Sequence, residues 1–92
     1  MNDLNDLNDF REKIDETDEN IVKLLVERFN TAKDIAEYKK KNGLEIFQKS
    51  REAEVLKNIG DRVENPQYKK YILEIYETIL KTSKSSQQDR IR

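Results

Sequence analysis

Five polar side chains continue helical stripes that are otherwise apolar: Arg28, Lys39, Glu52, Ser83 and Gln87. A charged group among apolar residues costs several kcal/mol unless a partner compensates it. A single residue of this kind is usually a structural polar group with satisfied hydrogen bonds. Five such residues, two of them cations, instead indicate a small anionic ligand bound between helices.

The charges of this set, with two further arginines, favour a ligand that has two carboxylates. The four cations are Arg11, Arg28, Lys39 and Arg51. Guanidinium groups bind carboxylates through two parallel hydrogen bonds. Glu52 repels a carboxylate but accepts a hydrogen bond from a hydroxyl. Ser83 and Gln87, four residues apart on one helical face, add neutral donors.

The residue types that are missing narrow the chemistry. The chain contains no histidine and no cysteine, and its only glycines are Gly43 and Gly60. The sequence therefore offers no histidine base, no metal cluster and no glycine-rich phosphate loop. We expect chemistry by electrostatic stabilisation and positioning, with no cofactor, no metal and no covalent intermediate.

Composition predicts one small folded domain over residues 1–92, with residues 1–7 and 88–92 frayed. Charged residues make up 40%, but the apolar residues are periodic, which favours a folded chain over a disordered one. The net charge of -1 argues against nucleic-acid binding. No apolar run approaches the roughly 20 residues of a membrane span, and the N-terminus lacks a signal-peptide pattern. We expect no membrane contact and a cytoplasmic location.

The apolar pattern predicts a long first helix. Apolar residues recur with a period near 3.6. They are Phe10, Ile14, Ile21, Leu24, Leu25, Ala32 and Ile35. We place its start near Asn8 or Asp9, because Asp9 and Glu12 resemble a capping box. Asn42-Gly43 predicts a left-handed C-terminal cap. The helix then has about 33 residues and is roughly 50 Å long.

Two shorter helices follow, which makes the predicted fold all-α. Ser50 or a neighbour caps the second helix, which runs to about Glu64. Asn65 caps the third helix, and Pro66 occupies its first position, where proline is favoured. The third helix extends to about Gln87.

The length of the first helix predicts an intertwined homodimer. A compact globule of 92 residues is about 30–35 Å across, so a helix of roughly 50 Å projects beyond it. The projecting part carries Phe10, Ile14 and Ile21, which need an apolar partner. A second copy related by two-fold symmetry is the simplest one.

Helical geometry directs Arg28 and Lys39 toward one ligand. Their positions are eleven residues apart, which leaves them about 20° apart around the axis and roughly 16 Å apart along it. Arg11 lies about 25 Å before Arg28 and roughly 100° around the axis, so it does not easily reach that ligand. In an antiparallel dimer it reaches the other subunit's ligand. We expect two equivalent sites, each completed by Arg11 of the partner subunit.

Six segments spread over the chain form one pattern. They are Phe10-Arg11-Glu12-Lys13-Ile14-Asp15, Leu24-Leu25-Val26-Glu27-Arg28, Ala36-Glu37-Tyr38-Lys39, Ile46-Phe47, Ser50-Arg51-Glu52-Ala53-Glu54, and Ser83 to Gln87. In this order and spacing they resemble the all-helical, type II chorismate mutases. The resemblance implies an intertwined three-helix dimer that converts chorismate to prephenate. This [3,3] rearrangement lies on the route to phenylalanine and tyrosine.

The resemblance also implies catalytic roles. Arg28 and Arg11 of the partner subunit would anchor the substrate carboxylates. Lys39 and Gln87 would donate hydrogen bonds to the ether oxygen, where negative charge builds as the C–O bond breaks.

The remaining candidates would complete substrate binding. Glu52 would bind the ring hydroxyl, and Arg51 and Ser83 would support the pocket and the carboxylates. Many relatives carry an aspartate at the position of Gln48, near the substrate hydroxyl. Glutamine can accept a hydrogen bond there through its carbonyl, but it supplies no charge.

Other interpretations stay open. An isochorismate-pyruvate lyase would use a similar pocket, and a non-catalytic helical dimer would serve as an interaction module. The chain fits a separate protein as well as one domain of a fused biosynthetic enzyme. Arg28 and Lys39 would otherwise be cations at the edge of a core, and Ser83 an ordinary polar residue.

Simple surface charges are the alternative interpretation for three other sites. Arg11 would pair with Asp15 on its own helix. Arg51 and Glu52 would be a charge pair at a helix start. Lys84, near the C-terminal end, is expected to be a solvated charge.

Overall fold

The computed structural model describes the backbone of residues 3–91 and the side chains of residues 5–89. It contains three α-helices, α1 (Asp3–Lys41), α2 (Lys49–Arg62) and α3 (Pro66–Ile91). Residues 3–91 include no strand. The predicted all-α fold with three helices is confirmed. None of these helices combines the length and apolar character of a membrane span.

α1 is longer than its sequence pattern predicted. It has 39 residues and begins at Asp3, so the expected start near Asp9 is wrong. Asp9 and Glu12 lie inside the helix and do not form a capping box. Residues 3–7 belong to this helix, and the two residues before them lie outside the described part. Asp6 favours the earlier start, because negative charge is stabilising near a helix N-terminus.

The predicted left-handed cap closes the C-terminus of α1. Gly43 has a φ of 67°. The Leu44 N–H donates to the Lys39 carbonyl at 2.8 Å, and the Gly43 N–H donates to the Lys40 carbonyl at 3.3 Å. These are the two hydrogen bonds of a Schellman motif. The three lysines of the last turn place positive charge at the negative end of the helix.

Gly43→Ala is expected to lower the free energy of unfolding by about 1–2 kcal/mol, because an L side chain is disfavoured at this positive φ. A Cβ at Gly43 would meet no atom within 4 Å, so the loss arises from the backbone alone. Urea denaturation followed by circular dichroism measures it. Gly43→Asn is the matched control and should lose less, since asparagine tolerates the left-handed conformation. Equal losses in the two variants would contradict this explanation.

The starts of α2 and α3 differ in how they are capped. Gln48 precedes α2 with an extended backbone (φ -126°, ψ 115°), and its side chain makes no capping hydrogen bond. Ser50 lies within the helix, so a neighbour holds the cap position. At α3 the Asn65 Oδ1 accepts a hydrogen bond of 3.0 Å from the Gln67 N–H, and Pro66 is the first helical residue. This second cap is as predicted.

The ends of both helices depart from the prediction. α2 ends at Arg62, before the expected Glu64, because Val63 returns to an extended conformation (φ -80°, ψ 109°). α3 passes the expected end at Gln87 and reaches Ile91, so the predicted end is wrong. No glycine or proline follows Gln87 to stop the helix. The last residue lies outside the described part.

The chain divides into two compact units at the bond between Thr31 and Ala32. The first unit is a stretch of α1, and the second holds the end of α1 together with α2 and α3. Within the second unit, α2 packs against α3. A Cβ at the buried Gly60 would lie 3.1 Å from Cε of Lys69 and 3.8 Å from a methyl group of Leu73. The absence of a side chain at Gly60 therefore allows a close approach of these two helices.

Candidate active site

Gln87 links α3 to the end of α1. Its Nε2 donates a partly buried hydrogen bond of 2.9 Å to the carbonyl oxygen of Ala32. The two residues are 55 positions apart in the chain, so this bond holds the end of α3 beside α1 within the second unit. A side-chain amide carries two N–H donors. One of them is therefore left for a ligand.

Lys39 supplies a second partly buried donor. Its Nζ donates a hydrogen bond of 3.3 Å to the carbonyl oxygen of Ile46, in the connection between α1 and α2. An ammonium group has three donors, so this bond orients the group and leaves two N–H groups. Lys39 follows Ala32, the partner of Gln87, by seven residues, about 20° around the axis and about 10 Å along it. The donors of Lys39 and Gln87 thus lie beside the same face of α1.

The part of α1 between Ala32 and Lys39 has a buried face. Ala36, which lies between Ala32 and Lys39, is fully buried. Ser83, one turn before Gln87 on α3, is only 7% exposed and is engaged in a contact of its own. Among the described side chains, no buried nitrogen or oxygen lacks a hydrogen-bond partner. A ligand between the donors would be partly shielded from water, which strengthens its hydrogen bonds.

Three candidates lie together at the start of α2. The Gln48 carbonyl accepts the N–H groups of Arg51 at 3.1 Å and Glu52 at 3.3 Å. The Arg51 guanidinium pairs with Glu54, with both side chains 60% exposed, so the alternative pair of Arg51 with Glu52 does not form. Glu52 is half-buried, whereas Gln48 is exposed. Exposed ion pairs contribute little stability, so Arg51 can exchange Glu54 for an anionic ligand at small cost.

Arg11 and Arg28 belong to the first unit. Arg28 is half-buried and is engaged in a contact of its own. Arg11 is exposed, and among residues 5–89 no ion pair joins it to Asp15. That these arginines share a site with Lys39 remains a prediction.

Lys84 makes a contact that the sequence did not indicate. Its Nζ lies 5.3 Å from the centroid of the Phe47 ring, within the range of a cation–π interaction. Lys84 is exposed, as expected of a solvated charge, and makes this contact in addition. Lys84 and Phe47 are far apart in sequence, and no local pattern connects them. Only the packing of α3 against the connection reveals their proximity.

The three helices place the protein in the all-α class. The chain belongs to the chorismate mutase type II family, whose model matches residues 10–88. The matched range includes every candidate residue from Arg11 to Gln87. Membership implies an isomerase. The comparison with curated proteins gave no match. Within residues 5–89, no group of carboxylates is arranged to hold a metal ion.

Proposed function

We propose that the protein converts chorismate to prephenate by a [3,3] pericyclic rearrangement. The observation that carries this proposal is the pair of partly buried donors, Lys39 Nζ and Gln87 Nε2, beside one face of α1. Both belong to a chain of the chorismate mutase family. The resemblance implies that both donate hydrogen bonds to the ether oxygen of the substrate.

The proposed mechanism uses these donors in the transition state. As the C–O bond breaks and the new C–C bond forms, negative charge builds on the ether oxygen. Fixed donors stabilise this charge more strongly than they stabilise the ground state, and that difference accelerates the reaction. Lys39 is oriented by the Ile46 carbonyl and Gln87 by the Ala32 carbonyl, so little reorganisation is needed. Every bond changes within the substrate, so no nucleophile or cofactor is required.

The other candidates are proposed to hold the substrate in its reactive conformation. The residues that would bind or support its two carboxylates are Arg11 of the partner subunit, Arg28, Arg51 and Ser83. Glu52, half-buried in the first turn of α2, would accept a hydrogen bond from the ring hydroxyl. Gln48 stands at the preceding cap position and would offer an uncharged acceptor to the same hydroxyl. Holding the reacting atoms together lowers the entropic part of the barrier.

The first unit supports a homodimer with shared sites. It is a single helical stretch, and its apolar side chains are exposed in the single chain: Phe10 at 67%, Ile14 at 59% and Leu24 at 62%. A helix without tertiary packing is marginally stable in water. We infer that a second copy covers this stripe and delivers its Arg11 to the site. Sedimentation should then give about twice the chain mass of 11.0 kDa.

Mixing two inactive variants tests the shared sites. After subunit exchange between Arg11→Ala and Arg28→Ala, half of the dimers are mixed, and each has one intact site, so about a quarter of the parent activity should return. The rate of chorismate consumption measures it. Mixing Arg28→Ala with Lys39→Ala is the matched control and should recover nothing, because both changes affect residues that one subunit supplies. No recovery in the first mixture, despite proven exchange, would place Arg11 outside the partner's site.

Product identification tests the activity itself. The purified protein is incubated with chorismate, and the product is identified by chromatography and mass spectrometry, with prephenate as the expected result. Release of pyruvate from isochorismate, with chorismate unchanged, would favour the lyase alternative. Folded protein that changes neither compound would overturn the proposal and favour an interaction module.

A further inference from the structure

The connection between α1 and α2 is held at three points. The Leu44 N–H donates to the Lys39 carbonyl at 2.8 Å. The Lys39 Nζ donates to the Ile46 carbonyl at 3.3 Å. The Lys84 Nζ lies 5.3 Å from the centroid of the Phe47 ring. Two of these contacts come from Lys39, and the third reaches the connection from α3.

The last two contacts involve adjacent residues, the Ile46 carbonyl and the Phe47 ring. The carbonyl that accepts the Lys39 ammonium belongs to Ile46, and its carbon is bonded to the nitrogen of Phe47. A peptide group is planar and rigid, so a restraint on Phe47 also limits the direction of the Ile46 carbonyl. That carbonyl in turn orients the Lys39 ammonium. A cation over the Phe47 ring therefore affects a group that does not touch it.

α3 thereby acts on both proposed donors. It carries Gln87 directly, fixed to Ala32 at 2.9 Å. Three residues earlier it carries Lys84, whose ammonium faces Phe47. We propose that Lys84 is a positioning residue for Lys39, acting through Phe47 and the Ile46 carbonyl. The inference rests on the proposed function, because Lys84 serves the reaction only if Lys39 does.

A different role would have a different kinetic signature. In that role the exposed charge of Lys84 would attract an anionic substrate. Loss of that attraction would raise KM and would not depend on the side chain at position 39. Loss of positioning would lower kcat and would require Lys39.

Lys84→Met is the test, because methionine keeps much of the side-chain bulk and removes the charge. We expect kcat to fall about two- to fivefold, the effect of an exposed cation–π contact, with KM unchanged. Lys84→Arg should keep the parent kcat, since guanidinium groups also bind ring faces. Lys81→Met, which removes an exposed charge one turn earlier on α3, is the matched control and should leave both constants unchanged. Thermal unfolding verifies that each variant is folded.

The decisive measurement repeats Lys84→Met in a Lys39→Met background. If Lys84 acts through Lys39, it should have no further effect on kcat there. A persistent loss, or a raised KM in place of a lowered kcat, would overturn the positioning role. Parent activity with no change in Lys84→Met would overturn this inference and leave the proposed function intact, whereas a parent inactive on chorismate would overturn both. Independently of activity, the NMR signals of the Lys84 ε-methylene should lose their ring-current shift in Phe47→Leu. An unchanged shift would overturn the contact itself.

Discussion

Lys39→Ala is expected to lower kcat by about 10²–10³, the usual effect of removing one fixed donor from a developing oxyanion. The Lys39 ammonium is partly buried and already oriented by the Ile46 carbonyl, so no solvent rearrangement is needed to use it. Water admitted by the smaller side chain would be a poor substitute, because it is not preoriented. Steady-state and single-turnover rates of chorismate consumption measure the loss.

The same change should have a small effect on folding. It removes one side-chain hydrogen bond, worth about 0.5–1.5 kcal/mol, and also relieves the cost of a cation on an apolar stripe. Lys40→Ala is the matched control, because Lys40 is the exposed neighbour and should tolerate substitution in both assays. A variant at position 39 with parent-like kcat would remove Lys39 from the mechanism. A large loss of stability would instead give it a structural role.

Gln87→Glu is expected to make activity strongly dependent on pH. The Gln87 amide does not ionise, and the chain has no histidine, so the parent rate should vary little between about pH 6 and 8. A carboxyl at this position donates a hydrogen bond only when it is protonated, and a free glutamic acid has a pKa of about 4.3. Once ionised, it would face the Ala32 carbonyl and repel the developing oxyanion. We expect about a 10²-fold loss near neutrality that is partly recovered toward pH 5.

The pH profile of kcat measures this effect, with Gln88→Glu as the matched control. Gln88 is exposed and adjacent in sequence, so the same new charge there should leave the profile flat. A flat profile in Gln87→Glu would show that position 87 does not face the reacting oxygen. A steep bell-shaped profile in the parent would reveal an ionising group absent from the proposed mechanism.

Local chemistry made several features of the fold predictable. The cap at Gly43 and the start of α3 at Pro66 depend on one or two residues whose backbone preferences are strong. The start of α1 and the end of α3 were misplaced, because neither end has a glycine or proline to stop the helix. Helices without such a signal extend as far as favourable residues continue.

The candidate site was also predictable from the sequence only in part. The polar interruptions of apolar stripes identified Lys39 and Gln87, because periodicity alone indicates which side chains face inward. Their acceptors, the carbonyls of Ile46 and Ala32, could not be predicted, since backbone oxygens leave no trace in residue types. The ion pair of Arg51 with Glu54 was missed for another reason. Several acidic residues lie within reach on α2, and side-chain rotamers decide among them.

The contacts of Lys39 constrain the length of the connection between α1 and α2, and this constraint has an evolutionary consequence. Surface loops usually tolerate inserted and deleted residues. Here the backbone of Lys39 caps the turn and its side chain binds Ile46 two residues after Leu44. One residue added between Leu44 and Ile46 would move the Ile46 carbonyl by up to about 3.5 Å and leave the ammonium without its acceptor. Among relatives, we expect the length of this connection to vary less than that of a typical surface loop.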